Sequence, residues 1–299
     1  MKIIPIAFDS LGTRGMATYV ETKDVKIFID PGVSLAPIRF RLGPHPIELK
    51  RLDEHWKEIV KLASKSDVLT ITHYHYDHHN PWENLEIYDG KTVLIKHPTE
   101  NINHSQKERS AFFLEQIKDR PKKLDYADNK KYQFGNTKLE FSTVFHGTNP
   151  RLGFVNEVLV DDGEYKFIHT SDVEGPNNEN QAKFILENKP NLVFSDGPLS
   201  YIIYRFGMQA MRNSVDNMIK IIETCPLDAF ITDHHFLRDL KWKEKIAKVF
   251  EVAEKKKIKL ETAAEFAGKD VEMLEAHRKE LFKEHPEMKF EMKKKMFED

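Results

Sequence analysis

Thr70-Ile71-Thr72-His73-Tyr74-His75-Tyr76-Asp77-His78-His79 places four imidazoles and a carboxylate at the end of an apolar run. The run itself, from Asp67 to Thr72, reads as a buried strand. In an extended strand His73 and His75 face one side, and Asp77 continues that face. His78 would face away, so the chain must turn there, which brings Asp77 and His78 to a second position beside the first. Nitrogen and carboxylate donors at a strand end suit a divalent cation, and this stretch can serve two adjacent ones.

Two ions need more ligands, and three other strand ends offer them. His146 follows the strand pattern of residues 139–145 and precedes Gly147. Asp172 follows residues 165–170, where its carboxylate could bridge two ions. His234 and His235 follow residues 229–232. In two-metal hydrolases the ions lie about 3.5–4 Å apart and share a hydroxide.

Outside these points the chain alternates between the two periods. Residues 2–8, 16–21 and 25–29 read as strands, the last two as a hairpin about Lys23-Asp24. Residues 33–47 are proline-rich and read as a long loop. Leu49, Leu52, Trp56, Ile59, Val60 and Leu62 recur at helical spacing. Strand patterns follow at 92–96, 130–134, 139–145, 157–160, 165–170, 192–194 and 229–232. Helical patterns fall at 103–119, 182–187, 199–222 (broken near Phe206-Gly207) and 242–255, with two pieces within 262–284. The tail, 289–299, reads as frayed or a short helix. This order predicts an α/β (α+β) protein, two β-sheets packed face to face with helices outside. No clean linker divides it, so residues 1–299 read as a single domain with a helical C-terminal extension over about 241–299.

The order of these pieces resembles the metallo-β-lactamase superfamily of binuclear metal hydrolases. The matching pieces are Asp30 in Ile29-Asp30-Pro31-Gly32, the His73-Tyr74-His75-Tyr76-Asp77-His78 core, His146-Gly147, Ser171-Asp172 and Asp233-His234-His235. Within that superfamily the chain is most similar to an archaeal-type branch of predicted hydrolases. The resemblance implies a four-layer αββα sandwich and two divalent ions, Zn2+ first, with Mn2+ or Fe2+ equally suited to such donors. It implies that His73, His75 and His146 hold one ion, that Asp77, His78 and a late histidine hold the other, and that Asp172 bridges. For the late histidine His235 is favoured, because His235-Phe236 is similar to nuclease-like members; His234 is the alternative. Asp77 would also be the catalytic group, orienting the nucleophile or taking its proton. Asp30 would steer a ligand histidine. Asp196 would do the same or form a turn, and His79 would pack or hydrogen-bond behind the ligands. The chain departs from the family at Asn80-Pro81-Trp82, where small glycines are usual.

The expected activity is hydrolysis of a phosphoester or other anionic ester by a metal-bridging hydroxide. A thioester or lactone hydrolase is the alternative, ahead of a di-iron redox enzyme and of a metal-binding module without catalysis. Arg39, Arg41, Arg151, Arg205, Arg212 and Arg238 could meet an anionic substrate, although an arginine is ordinarily solvated or ion-paired. Tyr201, Tyr204 and Phe206 could wall the site or simply pack. His97, His104 and His169 read as structural, and His45, His55, His277 and His285 as surface residues.

Composition sets the bounds. Lys and Arg number 46 against 48 Asp and Glu, a net charge of −2. That balance gives no general support to nucleic-acid binding, so the expected partner is a small-molecule or phosphoester substrate. No apolar run reaches membrane-spanning length, and the first residues are too short for a signal peptide. These features lead to the expectation of a cytoplasmic protein. The single cysteine, Cys225, excludes an internal disulfide and a thiolate zinc cage.

Overall fold

Strands covered on both faces read as continuous apolar runs, because both sets of alternating side chains are buried. In this computed structural model, which describes residues 1–288, such runs form the centres of two stacked sheets. The chain begins β1 (Lys2–Phe8), β2 (Met16–Glu21) and β3 (Lys26–Ile29), then α1 (Pro46–Ala63), β4 (Val68–Ile71), β5 (Thr92–Ile95), α2 (His104–Ile117) and β6 (Lys123–Tyr126). The second half runs β7 (Lys131–Phe134), β8 (Thr137–Phe145), β9 (Phe154–Asp161), β10 (Lys166–His169), α3 (Glu179–Asn188), β11 (Leu192–Asp196), α4 (Ile203–Phe206), α5 (Met208–Thr224) and β12 (Ala229–Asp233). It closes with α6 (Trp242–Lys245), α7 (Ala247–Lys256), β13 (Lys259–Glu261), α8 (Ala263–Phe266) and α9 (Arg278–Glu284).

Each half makes one sheet. The first has the order β1-β2-β3-β4-β5-β6, the second β13-β12-β11-β10-β9-β8-β7. In both, an antiparallel meander joins a parallel stack: β3 to β6 are parallel, as are β10 to β13.

The period of two divides the core into layers. In β10 to β12, Phe167, Leu192, Phe194, Ala229 and Ile231 pack against Phe8, Met16, Ile27 and Ile29 of the facing sheet. The residues between them, Ile168, Val193 and Phe230, turn outward onto Ala182, Ile185, Met218, Ile221, Ile222 and Val249 of α3, α5 and α7. Phe28, Leu69 and Val93 do the same on the other side, against Leu52, Trp56 and Ile59 of α1 and Phe113 of α2. The result is the expected αββα arrangement.

Several differences from the sequence reading have local causes. β6, Lys-Leu-Asp-Tyr, was not anticipated because it is an edge strand with no buried residue. The helix expected at 242–255 breaks at Ile246 into α6 and α7. The segment beyond 241 is not purely helical, since β13 extends the parallel stack beside β12. The reading of 289–299 lies outside the described residues. His45 and His55 are buried, not on the surface. His45 caps α1 in a capping box with Glu48, Pro46 opening the first turn, and Phe282 of α9 meets its ring edge-on at 4.7 Å. His55 bonds Thr13 Oγ1 at 2.7 Å. The C-terminal segment is tied down by an ion pair between two fully buried groups, Arg278 and Glu48, at 2.8 Å. No helix among the described residues is long and apolar enough to cross a membrane.

Candidate metal centre

The parallel strands deliver their C-terminal ends to one place, the usual position of sites in such sheets. β4 ends one residue before Thr72, whose amide and hydroxyl both donate to Asp30, at 2.7 and 2.6 Å. From there the chain runs through His73 and His75 and turns, with His78 N bonded to His75 O at 3.0 Å. Gly32 lets the Asp30 loop press on this turn: a Cβ there would lie 2.2 Å from His79 N. β8 delivers His146, β10 delivers Asp172 and β12 delivers His234.

Asp172 is the hub. It is 1% exposed, and its two oxygens face different partners. Oδ2 lies 3.3 Å from His73 Nε2, 3.9 Å from His75 Nδ1 and 3.7 Å from His146 Nε2. Oδ1 lies 2.9 Å from His78 Nε2 and 3.4 Å from His234 Nε2. Asp77 closes the second group, 3.6 Å from His234 Nε2 and 4.0 Å from His78 Nε2.

The donors fit divalent ions on three counts. His73, His75, His146 and Asp172 form one set able to hold an ion, and Asp77, His78 and His234 another. Four ligands around zinc lie about 3.3–3.5 Å from one another, given bonds near 2.0–2.1 Å, which is the scale of the distances above. Moreover, His73 Nε2, His78 Nε2, His146 Nε2 and Asp172 Oδ1 are buried without a hydrogen bond. Native interiors seldom leave such atoms unpaired, and donors gathered around a common cation account for it.

At the late histidine the geometry favours the alternative over the preferred residue. His235 was favoured, but His234 is the one beside Asp77 and His78. β12 continues to Asp233, and His234 takes a left-handed φ of 58°, which turns its ring into the centre. His235 joins Asp172 and His234 in a third group of donors able to hold an ion, but not Asp77 and His78. Its Nδ1 faces Asp196 Oδ2 at 2.9 Å, and its amide donates to Asp196 Oδ1 at 3.2 Å.

Carboxylates behind the histidines fix their rings. Asp30 Oδ2 meets His78 Nδ1 at 2.7 Å. Asp9, a residue the sequence reading passed over, meets His234 Nδ1 at 2.7 Å and Arg238 Nε at 2.9 Å. Glu174, also passed over, lies 3.6 Å from His146 Nδ1; Gly147 makes room for it, since a Cβ there would sit 2.2 Å from Glu174 Oε2. His79 contributes no donor to either set: its Nδ1 is 3.0 Å from His75 O and its ring packs against Tyr74 and Phe113. At the departure from the family, Asn80 accepts from the amides of Trp82 and Glu83 in a tight turn, and Trp82 packs on Tyr76 at 4.5 Å.

Burial and charge separate the histidines. Burial lowers the pKa of His73 and of His75. For His78 burial also lowers it, but Asp172 and Asp30 outweigh burial and raise it well above the usual value. The same contest, with Asp172 and Asp9, raises His234 to about 10. Burial would raise the Asp77 carboxyl, but His78 and His234 hold it below the ordinary carboxylate range.

With the site's geometry in hand, the relatives are informative. A UPF0282 protein of Korarchaeum cryptofilum is 49% identical over 301 residues, covering 100% of both chains. The chain belongs to the UPF0282 family. No family profile matches it. Among solved structures, the metallo-β-lactamase fold protein YhfI from Bacillus subtilis superposes with a TM-score of 0.52 at 13% identity, over 86% of this chain and 93% of that one. An isothiocyanate hydrolase from Delia radicum gut bacteria gives 0.52 at 14%, over 87% and 95%. The UPF0282 chain thus has the metallo-β-lactamase fold.

The role of Asp30 is open to a direct check. Replacing it with asparagine should lower metal affinity about 10–100-fold, as for other partners of ligand histidines, read by metal titration of the purified protein. An affinity equal to wild type would show that His78 needs no such support.

Proposed function

We propose that this UPF0282 protein is a metal-dependent hydrolase acting on a phosphoester or another anionic ester. One observation carries the reading: the two oxygens of Asp172 face two separate histidine groups, as a carboxylate shared between two ions requires. His73, His75 and His146 would hold one ion; Asp77, His78 and His234 the other. Zinc is the first choice, with manganese or iron(II) close behind. When bound, two such ions lower the pKa of a water between them and offset negative charge on the substrate oxygen.

The chain's own residues prepare that chemistry. Asp30 and Asp9 engage the Nδ1 atoms of His78 and His234, which leaves each Nε2 directed to the centre. Asp77 is ionised at neutral pH and partly open to solvent, 13% exposed, so it can orient a water and accept its proton. The anionic-ester reading is supported by arginine at the adjoining cavity. The apolar walls of that cavity favour a second reading, hydrolysis of a thioester or lactone. The single cysteine agrees with a cytoplasmic setting.

The test is metal quantification of the purified protein, followed by assay against phosphodiester, thioester, lactone and β-lactam substrates. Two ions per chain and turnover of one ester class are the expected outcome, with the turnover and the ion of its own set lost in His73→Ala. A metal-loaded protein that cleaves none of them would sink the hydrolase reading.

A further inference from the structure

Beside the centre lies a cavity of 250 Å³, whose lining includes Leu152, Leu199, Tyr201, Ile202, Phe206 and Arg205. Glu174 and His235 form its inner end. His235 meets the His234 ring edge-on, centroids 4.3 Å apart, and Glu174 adjoins His146, so the cavity opens off the candidate metal centre. We propose that this cavity is the substrate's specificity subsite. It takes a compact apolar group bearing one negative charge, with Arg205 as the counterion. The proposal rests on the hydrolase reading and narrows it to a small monoanionic ester.

Size is the first argument. An apolar cavity of about 150 Å³ holds benzene, and drug-sized ligands fill about 300–1,000 Å³. The space therefore suits one ring or a short branched chain with a small substituent. The walls are the second argument, because leucine, isoleucine, phenylalanine and the face of tyrosine reward an apolar occupant. Tyr201 is braced from behind by Arg39, whose guanidinium lies 4.5 Å from the ring.

Charge is the third argument. Arg39 is engaged by Glu275 and by the carbonyl of Arg238. Arg238 is paired with Asp9 at 2.9 Å, and Arg212 donates to Gln209. Arg205 lines the cavity with no ion pair or hydrogen bond to another described residue. The one acidic group in the lining, Glu174, adjoins His146 and feels the charge of Arg205 without forming an ion pair with it. A guanidinium free to fork onto a carboxylate or phosphate is a strong anion selector.

The experiment uses the full-length, metal-loaded protein and three probes of one shape: 3-phenylpropionate, its neutral amide and the corresponding amine. Calorimetry or ligand-observed NMR should show the anion binding about tenfold tighter than the amide, with the amine weakest. Arg205→Gln should level anion and amide, and Arg205→Glu should favour the amine. Metal content and thermal midpoint should stay unchanged, because Arg205 is exposed. If the anion's preference survives Arg205→Glu, charge is read by the metal centre and the proposal fails. It fails too if no probe binds by about 10 mM, weaker than any specific subsite. Esters that carry or lack the same distal carboxylate then separate the two readings. Loss of turnover on all of them removes the hydrolase, whereas equal turnover of both removes only the subsite.

Discussion

Asp172→Ala should strip the protein of most of its metal and reduce hydrolysis by about a thousandfold or more, beyond the 10–100-fold expected for a group that only orients a ligand. The reason is that one side chain serves both sets of donors. Its Oδ2 stands within 3.9 Å of three imidazole nitrogens and its Oδ1 within 3.4 Å of two others. Removing it leaves the donor set of His73, His75 and His146 with no carboxylate of its own, and leaves Asp77 as the one carboxylate in the set with His78 and His234. Cations in a buried site need charge compensation as well as lone pairs. Asp172→Asn is the sharper variant, because it keeps shape and one oxygen while deleting the charge. Elemental analysis should then show fewer than one ion per chain. Asp77→Ala offers the contrast, since it touches only one set and should spare the ion held by the other. Retention of two ions per chain in Asp172→Ala would dismiss the shared-carboxylate arrangement altogether.

What could be read in the residues themselves was what depends on short stretches of chain. The His73–His79 run, the strand before it and the strand-end positions of His146 and Asp172 are all local features, and the structure gathers them. The helix break at Gly207 was equally legible, because Phe206-Gly207 interrupts the spacing. The choice between His234 and His235 was not. It hangs on one left-handed φ at the end of β12, and both residues follow the same strand. Asp9 and His234 are 225 positions apart and meet only when the two halves stack. A carboxylate in a turn after a strand was the one available signal for Asp9, and many surface turns share it. Glu174 was hidden in the same way, since nothing in its neighbours points to His146. His45 and His55 misled because their cover comes from distant segments, α9 over His45 and the turn at Thr13 against His55.

The two donor sets should fill with unequal sensitivity to acid, the set with Asp77 the steeper. A histidine binds metal only as the neutral imidazole, so every proton that an ion displaces steepens its pH dependence. In the metal-free protein burial keeps His73 and His75 neutral at physiological pH, and only His146 in that set has its pKa raised, by Asp172 and Glu174 against the pull of burial. The set with Asp77 differs: His78 and His234 are both raised, the latter to about 10. The sign of the stability term follows. A raised His234 stabilises the metal-free fold fully below the unfolded value near 6.5, and that contribution disappears as pH climbs through about 10. Metal binding runs the other way and strengthens as pH rises. One displaced proton gives about tenfold in affinity per pH unit, and two give about a hundredfold. The ion held by His73, His75 and His146 should therefore tighten by up to about tenfold per pH unit while His146 remains charged, and the ion held with His78 and His234 by up to about a hundredfold per pH unit while both remain charged. Calorimetric metal titrations in buffers of different ionisation enthalpy count the released protons directly. Fewer protons for the ion of His73, His75 and His146 than for the ion of Asp77, His78 and His234 is the expected result. Equal proton release at both, or affinities that ignore pH, would show that the carboxylates do not hold these histidines charged.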